Sequence, residues 1–281
     1  MTPACLVCGE TETRLRASLT ESDVWQCREC GLTQCQPLPS ISAPSAGAAS
    51  ILTEESFTEG ILWPTDAQRI RYEVLARRRY ELYARDLGTR PFRMLEVGCG
   101  SGALGGPMRR SGVDYEGIDL DHRPIDAARQ RGEGDGLTVG DFMDDSFTGT
   151  WDVVFATQVL EHITRPLSFV DKIAASLIPG GIVHLDVPSQ STLAGIPSRL
   201  LRGVGSRFGA IEWPHHAIAF NARALERTLE KRYQVSVFTA SPDDPLWGQA
   251  VVPLFAARAY YVAAQLLNKE SLLVAYGRTA K

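Results

Sequence analysis

The sequence predicts a doubly wound α/β domain preceded by a small metal-stapled module. Three features carry that expectation. A glycine-rich turn follows a short apolar run in Arg93 to Gly106 (RMLEVGCGSGALGG). Strand and helix signals alternate downstream of it. Two Cys-x-x-Cys pairs stand near the start of the chain. The 281 residues, 44% apolar and 22% charged, have an ordinary globular composition and suffice for one large core plus a module. A net charge of −4 and a pI near 5.8 argue against a broad phosphate-binding face, so nucleic acid is not an expected partner. The opening MTPACLVCGE lacks a basic-then-apolar run, and the apolar stretch Ala250 to Leu267 is broken by Pro253 and Arg258. The expectation is a cytoplasmic chain without a membrane span.

Cys5-x-x-Cys8 and Cys27-x-x-Cys30 are separated by 18 residues, within the spacing of a four-cysteine zinc site. Gly9 and Gly31 follow the two pairs, where a turn that brings both thiolates to one metal needs a positive φ. Four thiolates leave no open position for water, so the zinc expected on Cys5, Cys8, Cys27 and Cys30 is structural. Disulfides are disfavoured without an export signal. Cys35 and Cys99 fall outside the set. The Pro-, Ser- and Ala-rich stretch after Gln36 reads as a linker. The predicted organisation is a module over 1–38, a linker over 39–60, a main domain over 61–240 and a packed C-terminal extension over 241–281. Asp66 to Leu87 reads as a helix whose arginines, interleaved with Glu73, Glu81 and Asp86, form a solvated face.

Met94, Leu95 and Val97 suit a strand buried in a parallel sheet. Gly98, Gly100 and Gly102 then expose backbone N–H groups at a helix start, as a nucleotide or nucleoside cradle requires. Gly100-x-Gly102-x-x-Gly105 formally matches a dinucleotide fingerprint, with Asp119 downstream. Glu96-x-Gly98-x-Gly100-x-Gly102 fits better, because a carboxylate there suits a cofactor with an ammonium group. This pattern resembles the first motif of the class I S-adenosylmethionine-dependent methyltransferases, which implies a Rossmann-like methyltransferase sheet and S-adenosyl-L-methionine as cofactor.

Tyr115 to Asp119 reads as the second strand, ending in an acid where a ribose offers its hydroxyls, with Leu120 beside it to cover an adenine face. Asp121 suits a cap for the next helix. Leu137 to Phe142 reads as a third strand. The resemblance implies that Asp141 accepts from the adenine amino group and that Phe142 packs on the ring. Trp151 to Ala156 reads as the fourth strand. The Leu160-Glu161-His162 segment after it also resembles the family, which places Gln158 to His162 at the rim of the cofactor site. A helix over Leu167–Leu177, a Pro-Gly-Gly turn and a strand over Ile182–Val187 follow, then an irregular insertion, Pro188 to Phe208, that suits a substrate lid. His215 and His216 in an aromatic-rich turn are the leading base candidates, with His162 in reserve. A helix near Ala222–Lys231 and strands at Gln234–Thr239 and Leu272–Tyr276 complete the pattern, with an apolar helical stretch, Leu246 to Leu267, between the two strands.

The cysteine pairs and the following Cys30-Gly31-Leu32 resemble the zinc-ribbon module ahead of some small-molecule and sugar-nucleotide methyltransferases. The expected activity is methyl transfer to O, N or C of a small molecule such as a sugar. Two alternatives are an rRNA methyltransferase, since one such family also places a zinc module before this fold, and a non-catalytic scaffold that binds the cofactor.

Overall fold

A computed structural model of the chain describes residues 2–39, 64–88, 90–144, 146–190, 200, 207–239 and 272–280. The linker, most of the Pro188–Phe208 insertion and the Leu246–Leu267 stretch lie outside the described residues. Strands β1 (Thr13–Ser18), β2 (Asp23–Cys27) and β3 (Thr33–Gln36) form an antiparallel meander, with Cys5 and Cys8 in a turn that precedes β1 and Cys27 and Cys30 at the β2–β3 turn. Helix α1 (Asp66–Leu87) starts on a capping box. The Gln68 N–H donates to Thr65 Oγ1 at 3.3 Å, and the Thr65 N–H donates to Gln68 Oε1 at 2.8 Å.

Alternation then builds the main layer. Strand β4 (Arg93–Val97), helix α2 (Gly105–Arg110), strand β5 (Asp114–Asp119), helix α3 (His122–Gln130) and strand β6 (Leu137–Val139) form one half. Strand β7 (Trp151–Thr157), a 3₁₀ turn at Leu160–His162, helix α4 (Pro166–Ser176) and strand β8 (Leu177–Pro188) follow. Three two-residue strands come next, β9 (Arg207–Phe208), β10 (Ile211–Glu212) and β11 (Ile218–Ala219), before helix α5 (Ala222–Leu229) and strands β12 (Tyr233–Thr239) and β13 (Leu272–Thr279). Side-chain caps mark two further helix starts. Asp121 takes the Arg123 N–H at 2.9 Å for α3, and Asn221 takes the Ala224 N–H at 2.7 Å for α5.

The main sheet runs β12-β13-β8-β7-β4-β5-β6, parallel from β8 to β6, with β13 antiparallel to both of its neighbours. Burial on both faces explains the near-continuous apolar runs of β4, β7 and β8. Two bounds differ from expectation. β6 ends at Val139 rather than Phe142, because Asp141 Oδ1 takes the Met143 N–H at 2.8 Å and turns the chain. β8 starts at Leu177 and runs through the Pro-Gly-Gly segment, with Gly180 at φ +75°. The ribbon sheet is β1-β2-β3-β11, so its fourth strand comes from residues 218–219.

Helix α1 is tied to the sheet by a buried polar cluster. Arg79 donates to Asp186 Oδ2 at 3.1 Å, His184 Nε2 stands 3.2 Å from Asp186 Oδ1, and the Tyr83 hydroxyl meets His184 Nδ1 at 2.9 Å. Burial alone would raise the Asp186 carboxyl, but the Arg79 guanidinium and His184 hold it below its ordinary value. Removing one partner leaves an uncompensated buried charge. Arg79→Leu is therefore expected to lower the unfolding free energy by about 3–5 kcal/mol in urea titration, and Arg79→Leu/Asp186→Leu by clearly less. With its folded pKa depressed, Asp186 contributes fully above the unfolded value near 3.8 and loses that contribution as pH falls through the folded value.

Candidate functional site

The glycine turn leaves the carboxyl end of β4 with Gly98, Gly100 and Gly102 at φ +72°, +53° and +64°. Its backbone is pinned to β5. The Gly98 N–H donates to the Ile118 carbonyl at 2.8 Å, and the Gly100 N–H donates to Asp119 Oδ2 at 2.7 Å. A Cβ at Gly98 would run into Val159, whereas one at Gly100 would meet nothing within 4 Å. Gly98 is therefore a packing glycine, and Gly100 borders open space that a ligand can occupy. Gly102 packs on Leu137.

The sequence-selected acids gather around this turn. Glu96 lies beneath it, and burial pushes its carboxyl up to about 8 although the Tyr115 hydroxyl donates to it. Asp119 also accepts the Asp121 N–H at 2.9 Å, and burial raises its carboxyl too. A cationic ligand group at this place would draw the Glu96 and Asp119 carboxyls back toward their ionised forms. Leu120 and Val139 stand at the carboxyl ends of adjacent strands, with Asp119 paired to Val139 in register. Both are large apolar residues left 37% and 38% exposed. They offer the apolar surface that a flat ring would cover.

The residues expected from the third strand sit differently. Phe142 is 4% exposed and makes edge contacts with Phe147 and Phe169, at centroid distances of 5.9 and 5.7 Å, so it faces the core. Val139 occupies the open position instead, a residue that the sequence reading did not select. Asp141 spends one oxygen on the Met143 N–H.

Beyond β7 the chain passes through Gln158, which is the one non-glycine residue at positive φ (+55°) among the described residues. Its N–H donates to the Asp186 carbonyl at 2.8 Å, joining the ends of β7 and β8. The 3₁₀ turn that follows carries Glu161 and His162. His162 Nδ1 lies 2.8 Å from the His215 carbonyl. A carbonyl only accepts, so Nδ1 carries the proton and Nε2 the lone pair. The rings of His162 and His216 meet edge to face at 4.8 Å.

Glu161 is 1% exposed, and neither of its carboxylate oxygens has a hydrogen-bond partner among the described residues. Burial raises its carboxyl to about 8. Burial also lowers all three imidazoles, His162 to about 4, so they are neutral at pH 7. Donor atoms of Glu161, His162 and His216 lie within 4.8 Å of one another, an arrangement able to hold a proton or a cation. Sequence reasoning selected the histidines but missed Glu161. Its burial in a helical turn has no signature in the pattern of neighbouring residues.

In the ribbon, Cys5 Sγ lies 3.5 Å from Cys30 Sγ, and Cys8 Sγ lies 3.5 Å from Cys27 Sγ and 3.7 Å from Cys30 Sγ. Tetrahedral zinc with bonds of about 2.3 Å places sulfurs ~3.8 Å apart, so the four thiols fit such an ion. Gly9 and Gly31 close the two turns at φ +77° and +79°, donating to the carbonyls of Cys5 and Cys27 at 3.0 and 3.1 Å.

Comparisons with known proteins agree with this architecture. The ubiquinone biosynthesis O-methyltransferase of Actinobacillus pleuropneumoniae serotype 7 is 34% identical over 112 residues, covering 36% of this chain and 48% of that protein. The protein of the same name from Pectobacterium atrosepticum is 33% identical over 108 residues, covering 36% and 45%. The chain thus spans about half the length of the curated relatives it matches. Among solved structures, a SAM-dependent methyltransferase from Archaeoglobus fulgidus superposes with a TM-score of 0.54 at 18% identity, covering 80% of this chain and all of that one. The [4+2]-cyclase SpnF also gives 0.54 at 18% identity, covering 86% and 98%. These likenesses show the fold. A family model described as a methyltransferase domain matches residues 67–232, more than half of the chain, which therefore belongs to that family as a class I S-adenosylmethionine-dependent methyltransferase.

Proposed function

We propose that the chain methylates a hydroxyl oxygen of a small molecule, using the Glu161, His162 and His216 cluster to take the hydroxyl proton. The observation that carries this reading is the pairing of neutral imidazoles with a buried, unpartnered carboxyl beside the turn that packs on Gly98. An alcohol or phenol is a weak nucleophile until a base removes its proton, and a neutral imidazole is suited to that near pH 7. The relatives named as O-methyltransferases support oxygen as the accepting atom.

S-adenosylmethionine, when bound, supplies an electrophilic methyl group on a sulfonium. The residues of this chain bind, align and deprotonate. Gly98, Gly100 and Gly102 shape the cradle. Glu96 would face the ammonium group, Asp119 would hold the ribose, and Leu120 with Val139 would cover the adenine. Asp141 and Gln158 border the same crevice. In-line displacement needs only alignment and a free lone pair on the acceptor. His216 is the first choice as base and His162 its packing partner. His215 contributes its carbonyl to hold His162 in one tautomer. The ribbon holds one structural zinc on Cys5, Cys8, Cys27 and Cys30.

Four outcomes follow from this reading. Calorimetry on Asp119→Ala should show cofactor affinity weakened by about 1–3 kcal/mol, since the ribose hydroxyls lose a charged acceptor. Unchanged affinity, or tight binding of a nicotinamide dinucleotide by the parent, contradicts the assignment. His216→Asn should lower turnover on a hydroxyl acceptor by roughly 10²–10⁴-fold and leave cofactor affinity intact. Burial keeps His216 below its ordinary 6.5, with nearby Glu212 pulling the other way, so kcat/KM should hold down through pH 6.5 and fall only at more acidic values. A fall that begins above pH 7 argues against a buried histidine base. Metal analysis should find one zinc per chain, lost in Cys27→Ser.

A further inference from the structure

The ribbon sheet borrows its last strand from the segment that carries the histidine pocket. β3 begins three residues after Cys30 and pairs with β11 through Gln34 opposite Ile218 and Thr33 opposite Ala219. The Cys35 N–H donates to the Ala217 carbonyl at 2.8 Å, and Ala217 adjoins His216. One residue further, the His215 carbonyl holds His162 Nδ1. The end of β8 joins the same assembly, because Thr33 Oγ1 donates to Gln190 Oε1 at 2.9 Å and the Gln190 N–H donates to the Phe220 carbonyl at 2.8 Å. Leu32, Cys35, Ile218 and Phe220 are all at most 1% exposed and belong to one buried cluster. The glycine turn, by contrast, takes its hydrogen bonds from β5.

We propose that the four-cysteine centre sets the geometry of the histidine pocket, with Thr33 and Cys35 as positioning residues, and leaves the cofactor cradle independent of it. The inference rests on the four-cysteine zinc reading and on the histidine cluster as the acceptor side. A module this small lacks the core to fold without its metal. With the ribbon unfolded, β11 loses β3, its one strand partner among the described residues, and a two-residue strand does not persist alone. The His216 backbone keeps its paired bonds with Glu212 at 2.8 and 3.1 Å, but the Cys35–Ala217 bond that fixes the next residue is lost, so His215 and His216 shift against His162.

The chain has five histidines, which makes their ring resonances in nuclear magnetic resonance a direct reporter that needs no acceptor. Spectra of the full-length chain would be compared in three states: zinc-loaded, stripped with a chelator, and reloaded with zinc. Cys27→Ser provides a second route to the metal-free state. On metal loss the signals of His162, His215 and His216 should shift or broaden. Those of His122 on α3 and His184 in the core should hold, and reloading should restore the first set. The dissociation constant for S-adenosylmethionine should stay within about twofold, because the backbone bonds that fix the glycine turn come from β5. Thr33→Val, which keeps the metal, should move the same three signals by a smaller amount. The proposal is overturned if the parent binds no zinc, or if the three signals stay in place after the metal is gone. It is equally overturned if His184 and cofactor affinity are lost with them, since the ribbon then stabilises the whole domain. A His216→Asn chain with full turnover but zinc-dependent ring signals would refute the base assignment alone.

Discussion

Strand β4 stands where the winding of the sheet reverses, with β5 and β6 built out on one side and β7 and β8 on the other. Connections that leave β4 and β7 therefore diverge, and a crevice opens at their carboxyl ends before any side chain is chosen. Both halves of the site depend on that opening. The glycine turn lines one wall, with Asp119 and Val139 at the ends of the next two strands. Glu161 and His162 line the other, one turn beyond β7. Val159 bridges them by packing where Gly98 has no Cβ.

Furnishing the crevice concentrates costly groups. Glu96, Asp119 and Glu161 are carboxyls that burial pushes upward, and the imidazoles are held neutral by the same desolvation. Elsewhere in the domain a buried acid is neutralised. Asp186 faces Arg79, and its carbonyl receives the N–H of Gln158, the residue at φ +55°. A non-glycine residue in that region costs on the order of 1–3 kcal/mol and persists where its surroundings over-determine it. Here the ends of β7 and β8 hold it from below. The Gln158 bond thus ties the ends of β7 and β8 together. The acids that burial pushes upward with no cation facing them among the described residues, Glu96, Asp119 and Glu161, lie at the glycine turn and the 3₁₀ turn. This division of charge is what a binding site needs and what a stable core avoids.

Much of this was legible in the sequence, for physical reasons that also explain the gaps. Parallel strands buried on both faces write themselves as apolar runs, so β4 and β7 were found within a residue or two and β8 from Ile182 onward. Asp121 acts as a cap because its short side chain reaches a backbone N–H locally, and that chemistry is sequence-local too. The cysteine set was readable because spacing alone constrains four thiolates. Phe142 was not, since an aromatic at a strand end packs equally well on a ligand or on Phe147 and Phe169. Its direction was decided by the turn that Asp141 makes. The third glycine of the dinucleotide pattern, Gly105, meets the Tyr115 ring, so it serves close packing rather than a phosphate. Glu161 and His216 are far apart in the chain and meet only in the fold.

The pairing of β3 with β11 was the least visible feature, and it changes how the chain divides. Composition shifts at Gln36 suggest that a module ends and a linker begins. A two-residue strand at residues 218–219 leaves no periodicity to say otherwise. Yet β3 alone would be an open edge, a row of unpaired N–H and C=O groups, and proteins cover such edges. The ribbon thus has its own reason to dock, independent of catalysis. What it docks on is the one segment whose backbone also carries His215 and His216. An edge strand that must be covered and a turn that must be held satisfy each other, and the backbone bonds of β3 with Ala217 and β11 run directly into the turn that carries His215 and His216.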